Sequence, residues 1–157
     1  TVRQELGERG EKVVCKYARC PRCHRDRQFK RLPVNFECAD LICKFCGFLA
    51  QVKATRLPVG TEDLPEKIPS GAWAPQHARI LAGIYHGLYV AGFKRNGRTL
   101  VRIDYVPPHV LEATPQAFEP RRPLSATAKR AGWRGYTLNL GKLPAVGMQR
   151  IFPEETS

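Results

Sequence analysis

Residues 36–56 read FECADLICKFCGFLAQVKATR, and the way this stretch folds decides the architecture of the chain. It holds a Cys-x-x-Cys turn at Cys43 and Cys46, an acid just before it at Asp40, and Gln51-Val52-Lys53 just after it. NFECADLI (35–42) and FLAQVKAT (48–55) read as two strands joined across CKFCG. Residues two apart on a strand point to the same face, so Gln51 and Lys53 project together. If the turn folds the chain back, Asp40 faces them across a hairpin.

A second Cys-x-x-Cys pair, Cys20 and Cys23, precedes the first by nineteen residues. That spacing suits a four-thiolate zinc site, in which each turn presents two sulfurs and two turns complete a tetrahedron. A closed four-cysteine site leaves no open position, so the Zn2+ it takes is structural. Cys15 and Cys38 lack such partners and read as buried small hydrophobes, and His24, beside Cys23, is an alternative ligand.

Asp40, Gln51 and Lys53 have a chemistry of their own. A carboxylate, a second oxygen ligand and a lysine converging on one point make a candidate Mg2+-dependent phosphodiester-cleaving site, with Mn2+ as an alternative ion. Mg2+ takes hard oxygen ligands, and a lysine supplies positive charge where the transition state gathers negative charge. Glu8 or Glu11, in the opening helix, could approach the same metal.

The rest of the chain fits a nucleic-acid partner. There are 26 Lys and Arg against 14 Asp and Glu, a net charge of +12, which favours a polyanion. The basic residues concentrate in CPRCHRDRQFKR near the start and in PRRPLSATAKRAGWRG near the end, beside cysteines or aromatic residues. With 43% hydrophobic residues the chain can bury a core, which excludes a disordered tail. No apolar run is long enough to span a membrane, and neither a span nor a signal peptide is expected. Paired cysteines without a leader argue for metal over disulfides and for a reducing, cytoplasmic location.

Order along the chain predicts an α/β domain, a mixed sheet with flanking helices. RQELGERGEKVVCKYA reads as a helix with Leu6, Val13, Val14 and Tyr17 on one side. CPRCHRDRQFKRLP reads as loop, RLPVGTEDLPEKIPSGAW as a proline-rich linker, and 74–86 as a helix. LYVAGFKRNGRTLVRIDYV reads as a β-hairpin with a type I′ turn at Asn96-Gly97. YTLNL closes as a short strand.

ADLICKFCGFLAQVK and RRPLSATAKRAGWRGYTLNL together resemble the catalytic domain of the DpnI-type restriction endonucleases, with SGAW and the Asn-Gly hairpin in register between them. Those enzymes cleave DNA carrying methylated adenine and belong to the PD-(D/E)xK nuclease superfamily. The resemblance implies a PD-(D/E)xK restriction-endonuclease-like fold with an inserted zinc site at about 20–46, in a single nuclease domain spanning 1–157 and without the family's C-terminal winged helix. It places the metal-binding aspartate on Asp40, the acidic ExK position on Gln51, the lysine on Lys53, and a helical glutamate on Glu11. Asp40, Gln51 and Val52 become the Mg2+-binding positions, and Cys20, Cys23, Cys43 and Cys46 the zinc ligands. The loop that approaches the bases maps to Lys129, Arg130 and Trp133.

Around that loop, Arg121, Arg122, Lys129, Arg130, Trp133 and Arg134 are the candidate DNA-binding residues. The expected activity is a type II restriction endonuclease, a hydrolase of a bacterium or archaeon. It acts on double-stranded DNA with preference for adenine-methylated sites, as a monomer or a weak dimer on DNA. One departure stands out: Gln51 is neutral where the family has a glutamate, which lowers the charge available to a cation. The alternative reading is therefore a zinc-stapled DNA-binding module without cleavage activity.

Overall fold

A computed structural model of the chain describes residues 2–34, 36, 39–70, 74–121, 125–127 and 135–154. The order begins with helix α1 (Val2–Tyr17), followed by strands β1 (Phe29–Arg31), β2 (Leu41–Cys43), β3 (Leu49–Arg56) and β4 (Lys67–Ser70). Helix α2 (Ala74–Leu81), strands β5 (Gly87–Phe93) and β6 (Leu100–Val106), and helix α3 (Pro108–Ala113) come next. Strands β7 (Phe118–Pro120), β8 (Tyr136–Asn139) and β9 (Gln149–Phe152) complete the described chain.

Two sheets form. The larger has the order β1-β2-β3-β5-β6-β9, and the smaller β4-β8-β7. Every pairing is antiparallel except β3 with β5, which runs parallel from Ala50↔Gly87 to Arg56↔Phe93. A parallel pair needs a crossover connection, and residues 57–86, carrying β4 and α2, supply it.

Strand β5, GLYVAGF, is buried at every position because both faces of the sheet are covered. Tyr89, Ala91 and Phe93 pack with Leu6 and Val14 of α1 and with Cys20 and Phe29. Leu88 and Val90 point the other way, to Ile68, Leu138, Phe118 and Leu111 of the small sheet and α3. Strand β3 shares this alternation. Ala50 and Val52 join the α1 side, so Gln51 and Lys53 face the side of the small sheet.

Several expectations change. The buried stripe of α1 is Leu6, Gly10 and Val14, with Val13 half-buried. Tyr17 is exposed at the helix end, its ring against Phe152 with centroids 4.5 Å apart. Gly10, which weakens a helix, lets α1 lie directly on β3: a Cβ there would sit 2.9 Å from the Ala54 Cβ. The first predicted strand begins only at Leu41, one residue past Asp40. Segments read as loop and linker contain β1 and β4, and Pro69 is tolerated because β4 is an edge strand that needs no donor on its outer side.

Helix α2 ends at Leu81, short of His86, where the Ile84 N–H turns back to the Arg79 carbonyl at 2.8 Å. The β5–β6 hairpin is present, but its turn is not type I′. Gly97 has φ of 69° while Asn96 keeps negative φ, and the Asn96 Oδ1 accepts from the Arg98 and Thr99 N–H groups. The loop is closed by the Lys94 N–H donating to the Thr99 carbonyl. β9 had no counterpart in the sequence reading.

Gly10→Val should lower stability by about 1–3 kcal/mol through overpacking against Ala54. Gly7→Ala, with no atom within 4 Å of its added Cβ, should raise stability by about 0.5–1 kcal/mol. Urea midpoints of the two variants check both signs.

Candidate functional site

The two Cys-x-x-Cys turns converge. The sulfurs of Cys20, Cys23, Cys43 and Cys46 all lie within 4.8 Å of one another. Cys20 and Cys46 are 3.6 Å apart, and Cys23 and Cys43 are 3.7 Å apart. Zn–S bonds of about 2.3 Å in a tetrahedron put sulfurs about 3.8 Å apart, so the four could hold a metal such as zinc. The turn that carries Cys43 is tight, with the Gly47 N–H donating to the Cys43 carbonyl at 2.8 Å. Burial pushes the Cys20 thiol up; it also acts on Cys43, but the Cys46 and Phe45 amides outweigh it and hold that thiol down to about 7. Cys15 is half-buried beside the α1-side core, and Cys38 lies outside the described residues.

Asp40 sits at the mouth of β2, against β3. Its N–H donates to the Ala50 carbonyl at 2.9 Å, and its Oδ2 accepts from the Val52 N–H at 2.8 Å. These two bonds bracket Gln51, and they explain why the strand begins only after Asp40. Leu41 pairs with Ala50, so one step further along the register lies Gln51. Burial raises the Asp40 carboxyl above its ordinary value, and the Val52 N–H and the charge of Lys53 pull the other way. Val52 enters the site through its backbone only, its side chain being buried in the α1-side core.

Glu11 stands on α1, which covers the face of β3 opposite Gln51 and Lys53. It is half-buried, whereas Glu8 is exposed. Burial raises its carboxyl first, the Arg31 hydrogen bond lowers it, and the charge of Asp40 raises it again. Arg31 Nε holds the Glu11 Oε1 at 3.1 Å. That arginine carried no role in the sequence reading, because its partner is one helix and one turn away.

Gln51 also lines a cavity of about 20 Å3 with Arg79, Tyr85, His86 and Phe118. Burial, then Arg79, lowers the His86 pKa, and the Tyr85 hydroxyl is buried with no hydrogen-bond partner among the described residues. None of these three polar residues carried a sequence signal, since nothing in chain order links 79–86 to position 51. Of the basic segment, exposed Arg121 is described, and Arg122, Lys129, Arg130, Trp133 and Arg134 lie outside the described residues. The segment's two stems are joined: the Arg121 N–H donates to the Gly135 carbonyl at 2.8 Å, and Pro120 pairs with Tyr136. Phe118, at the start of the same β7 stem, lines the cavity with Gln51.

Among the described residues, no helix is long and apolar enough to cross a membrane. A family model described as the Dam-replacing family, DpnI, matches residues 4–156, nearly the whole chain. It describes restriction-type DNA endonucleases, whose substrate is DNA.

Elemental analysis of protein purified without chelator should give one zinc per chain. Cys43→Ser should lower both that content and the melting temperature, because ligation contributes folding energy directly. Cys15→Ser, outside the cluster, should leave the zinc content unchanged.

Proposed function

We propose, proceeding from the fact that the chain belongs to the Dam-replacing (DpnI) family, that it is a Mg2+-dependent endonuclease hydrolysing phosphodiester bonds of double-stranded DNA, with preference for adenine-methylated sites. The observation that carries this reading is the corner in which Asp40 is hydrogen-bonded onto β3, on either side of Gln51 and next to Lys53. The resemblance of AKRAGW to the family's base-approaching loop supports the methylated-adenine preference.

The donor set fits a hard cation. Asp40 offers a carboxylate, Gln51 an amide oxygen and Val52 a backbone carbonyl, and the charge of Asp40 is felt at Glu11 on α1. All are oxygen ligands of the kind Mg2+ and Mn2+ accept. When bound there, such an ion polarises a phosphate and lowers the pKa of an attacking water.

The protein's own residues prepare the corner. The Val52 N–H fixes one Asp40 oxygen, which leaves Oδ1 as the oxygen that faces a ligand. Arg31 fixes the rotamer of Glu11. Lys53 sets a positive charge beside the carboxylates, where a bound phosphodiester accumulates negative charge in its transition state. Gln51 replaces an acid with an amide, so the corner binds a cation with one negative charge fewer. That neutrality favours a second reading, a metal-stapled DNA-binding module without cleavage.

Plasmid DNA from adenine-methylating and non-methylating hosts, incubated with Mg2+ or Mn2+, separates the two. Cleavage of the methylated plasmid supports the nuclease; binding of both without cleavage of either sinks it. Asp40→Ala and Lys53→Ala should each abolish cutting with zinc content and fold retained, and a Lys53→Ala enzyme that cuts at the parent rate refutes the corner. Gln51→Glu should cut as fast as the parent or faster in Mg2+.

A further inference from the structure

The two cysteine turns form a knuckle whose tip is a basic surface that neither the thiol cluster nor the Asp40 corner uses. Residues 19–30 and 43–47 hold Arg19, Arg22, Arg25, Arg27, Lys30 and Lys44 against a single acid, Asp26. That acid is taken, since its carboxylate accepts from Nε and Nη2 of Arg19 at 3.1 and 3.4 Å. A Zn2+ ion held by four thiolates carries two surplus negative charges. Arg22 lies against that cluster, its Nη1 donating to the Cys46 carbonyl at 3.3 Å. Arg25, Arg27, Lys30 and Lys44 remain, all exposed, and among the described residues none of them forms an ion pair. We propose that this tip docks on the phosphate backbone of the DNA that enters the Asp40 corner, a proposal that rests on the nuclease reading above for the identity of the polyanion.

Two features show that the tip is more than a solvated charge run. Phe45 is 57% exposed, and the Arg25 guanidinium lies 3.8 Å from its ring centroid. A guanidinium on an aromatic face keeps its N–H donors in its own plane, clear of the ring. The contact therefore holds Arg25 in place and leaves its donors for a phosphate. Lys44, next to Phe45 in the chain, donates its N–H to the Gln28 carbonyl at 2.9 Å, which sets it opposite the end of the Arg25–Arg27 loop.

The backbone of that loop is the second feature. His24 and Arg27 have φ of 61° and 55°, in the left-handed region that favours glycine. In the other turn the residue after the second cysteine is Gly47, with φ of 81°, whereas in the first turn it is His24. Arg27 keeps the same strained conformation although its side chain is exposed and fills no place in the core.

Tip and corner stand at opposite ends of β2. Asp40 to Lys44 spans about 13 Å of extended chain, roughly the rise of four base pairs. A duplex held at the corner thus passes within reach of the tip. Phosphate contacts made there add affinity and placement and read no sequence.

The test measures binding of a short DNA duplex against NaCl concentration, without Mg2+, for the parent chain and two double variants. Arg25→Gln/Lys44→Gln removes charge from the tip, and Arg3→Gln/Lys12→Gln removes the same charge from exposed positions of α1. None of the four residues belongs to the thiol cluster or the core, so zinc content and melting temperature should match the parent. Each lost phosphate contact at the tip should reduce the salt slope by about 0.9 and weaken binding roughly tenfold near 0.1 M salt, while the α1 variant keeps the parent's slope. If the tip variant loses zinc, Lys44→Gln alone carries the same expectation at one contact. Equal losses in the two double variants reduce the tip to its share of the net charge and overturn the docking surface. So does a tip variant with the parent's slope and affinity, or one that loses RNA while holding duplex as before. A parent that cuts DNA in Mg2+ while the tip variant binds unchanged keeps the nuclease reading and loses the docking surface. A parent that binds duplex, loses it in the tip variant and leaves DNA uncut overturns the nuclease reading alone. A parent that binds no duplex overturns both.

Discussion

Four sulfurs meeting at one point set the position of everything else near the site. Cys20 and Cys43 are buried members of the α1-side core as well as members of the thiol cluster, so the cluster is continuous with the hydrophobic packing. Bringing the first turn onto the second lays β1 beside β2, and the tight turn at Cys43–Cys46 sends β3 back along β2. Thiolates that close repel each other strongly, and a divalent ion converts that repulsion into attraction. The same contact therefore defines a strand order and offers four ligands to an ion.

At the other end of this hairpin the electrostatics run in the opposite sense. Asp40 and Glu11 are each held against a burial penalty, and the charge of Asp40 raises the Glu11 carboxyl further. The fold offsets part of the cost with a backbone N–H for Asp40 and a guanidinium for Glu11. What is left is the carboxylate of Asp40 with the charge of Lys53 acting on it. Carboxylates held against their preference in this way are common where a site must meet a cation, and Gln51 relieves the crowding by carrying no charge of its own.

The cysteine cluster and the Asp40–Gln51–Lys53 corner were legible in the sequence because each depends on short spacings: two residues between sulfurs, and a strand period of two between Gln51 and Lys53. The β5–β6 hairpin was legible for a similar reason, although Asn96 spends its side chain on two amides and widens the turn beyond what the Asn-Gly pair implied. Of the smaller sheet only β8, in YTLNL, was legible. Its strands run three or four residues, two contain a proline, and their burial is decided by distant partners such as Ile68 against Leu138 and Phe118. Gly10 shows the same division: its cost to the helix is local, whereas its benefit is contact with Ala54. Arg31, Arg79 and His86 joined the site only through folding.

The parallel pairing of β3 with β5 carries a consequence for the order of assembly. Every bond in that ladder joins a residue of β3 to one beyond the 57–86 crossover, so it forms only after that segment has been made and folded across. Contacts of such sequence separation close late, since chain entropy must be lost before they reward it. The cysteine hairpin, being local, can form on its own, but β3 has no second neighbour until β5 arrives. A growing chain on the ribosome thus holds Asp40 against a half-supported strand, and the corner becomes rigid only once the hairpin that follows has emerged.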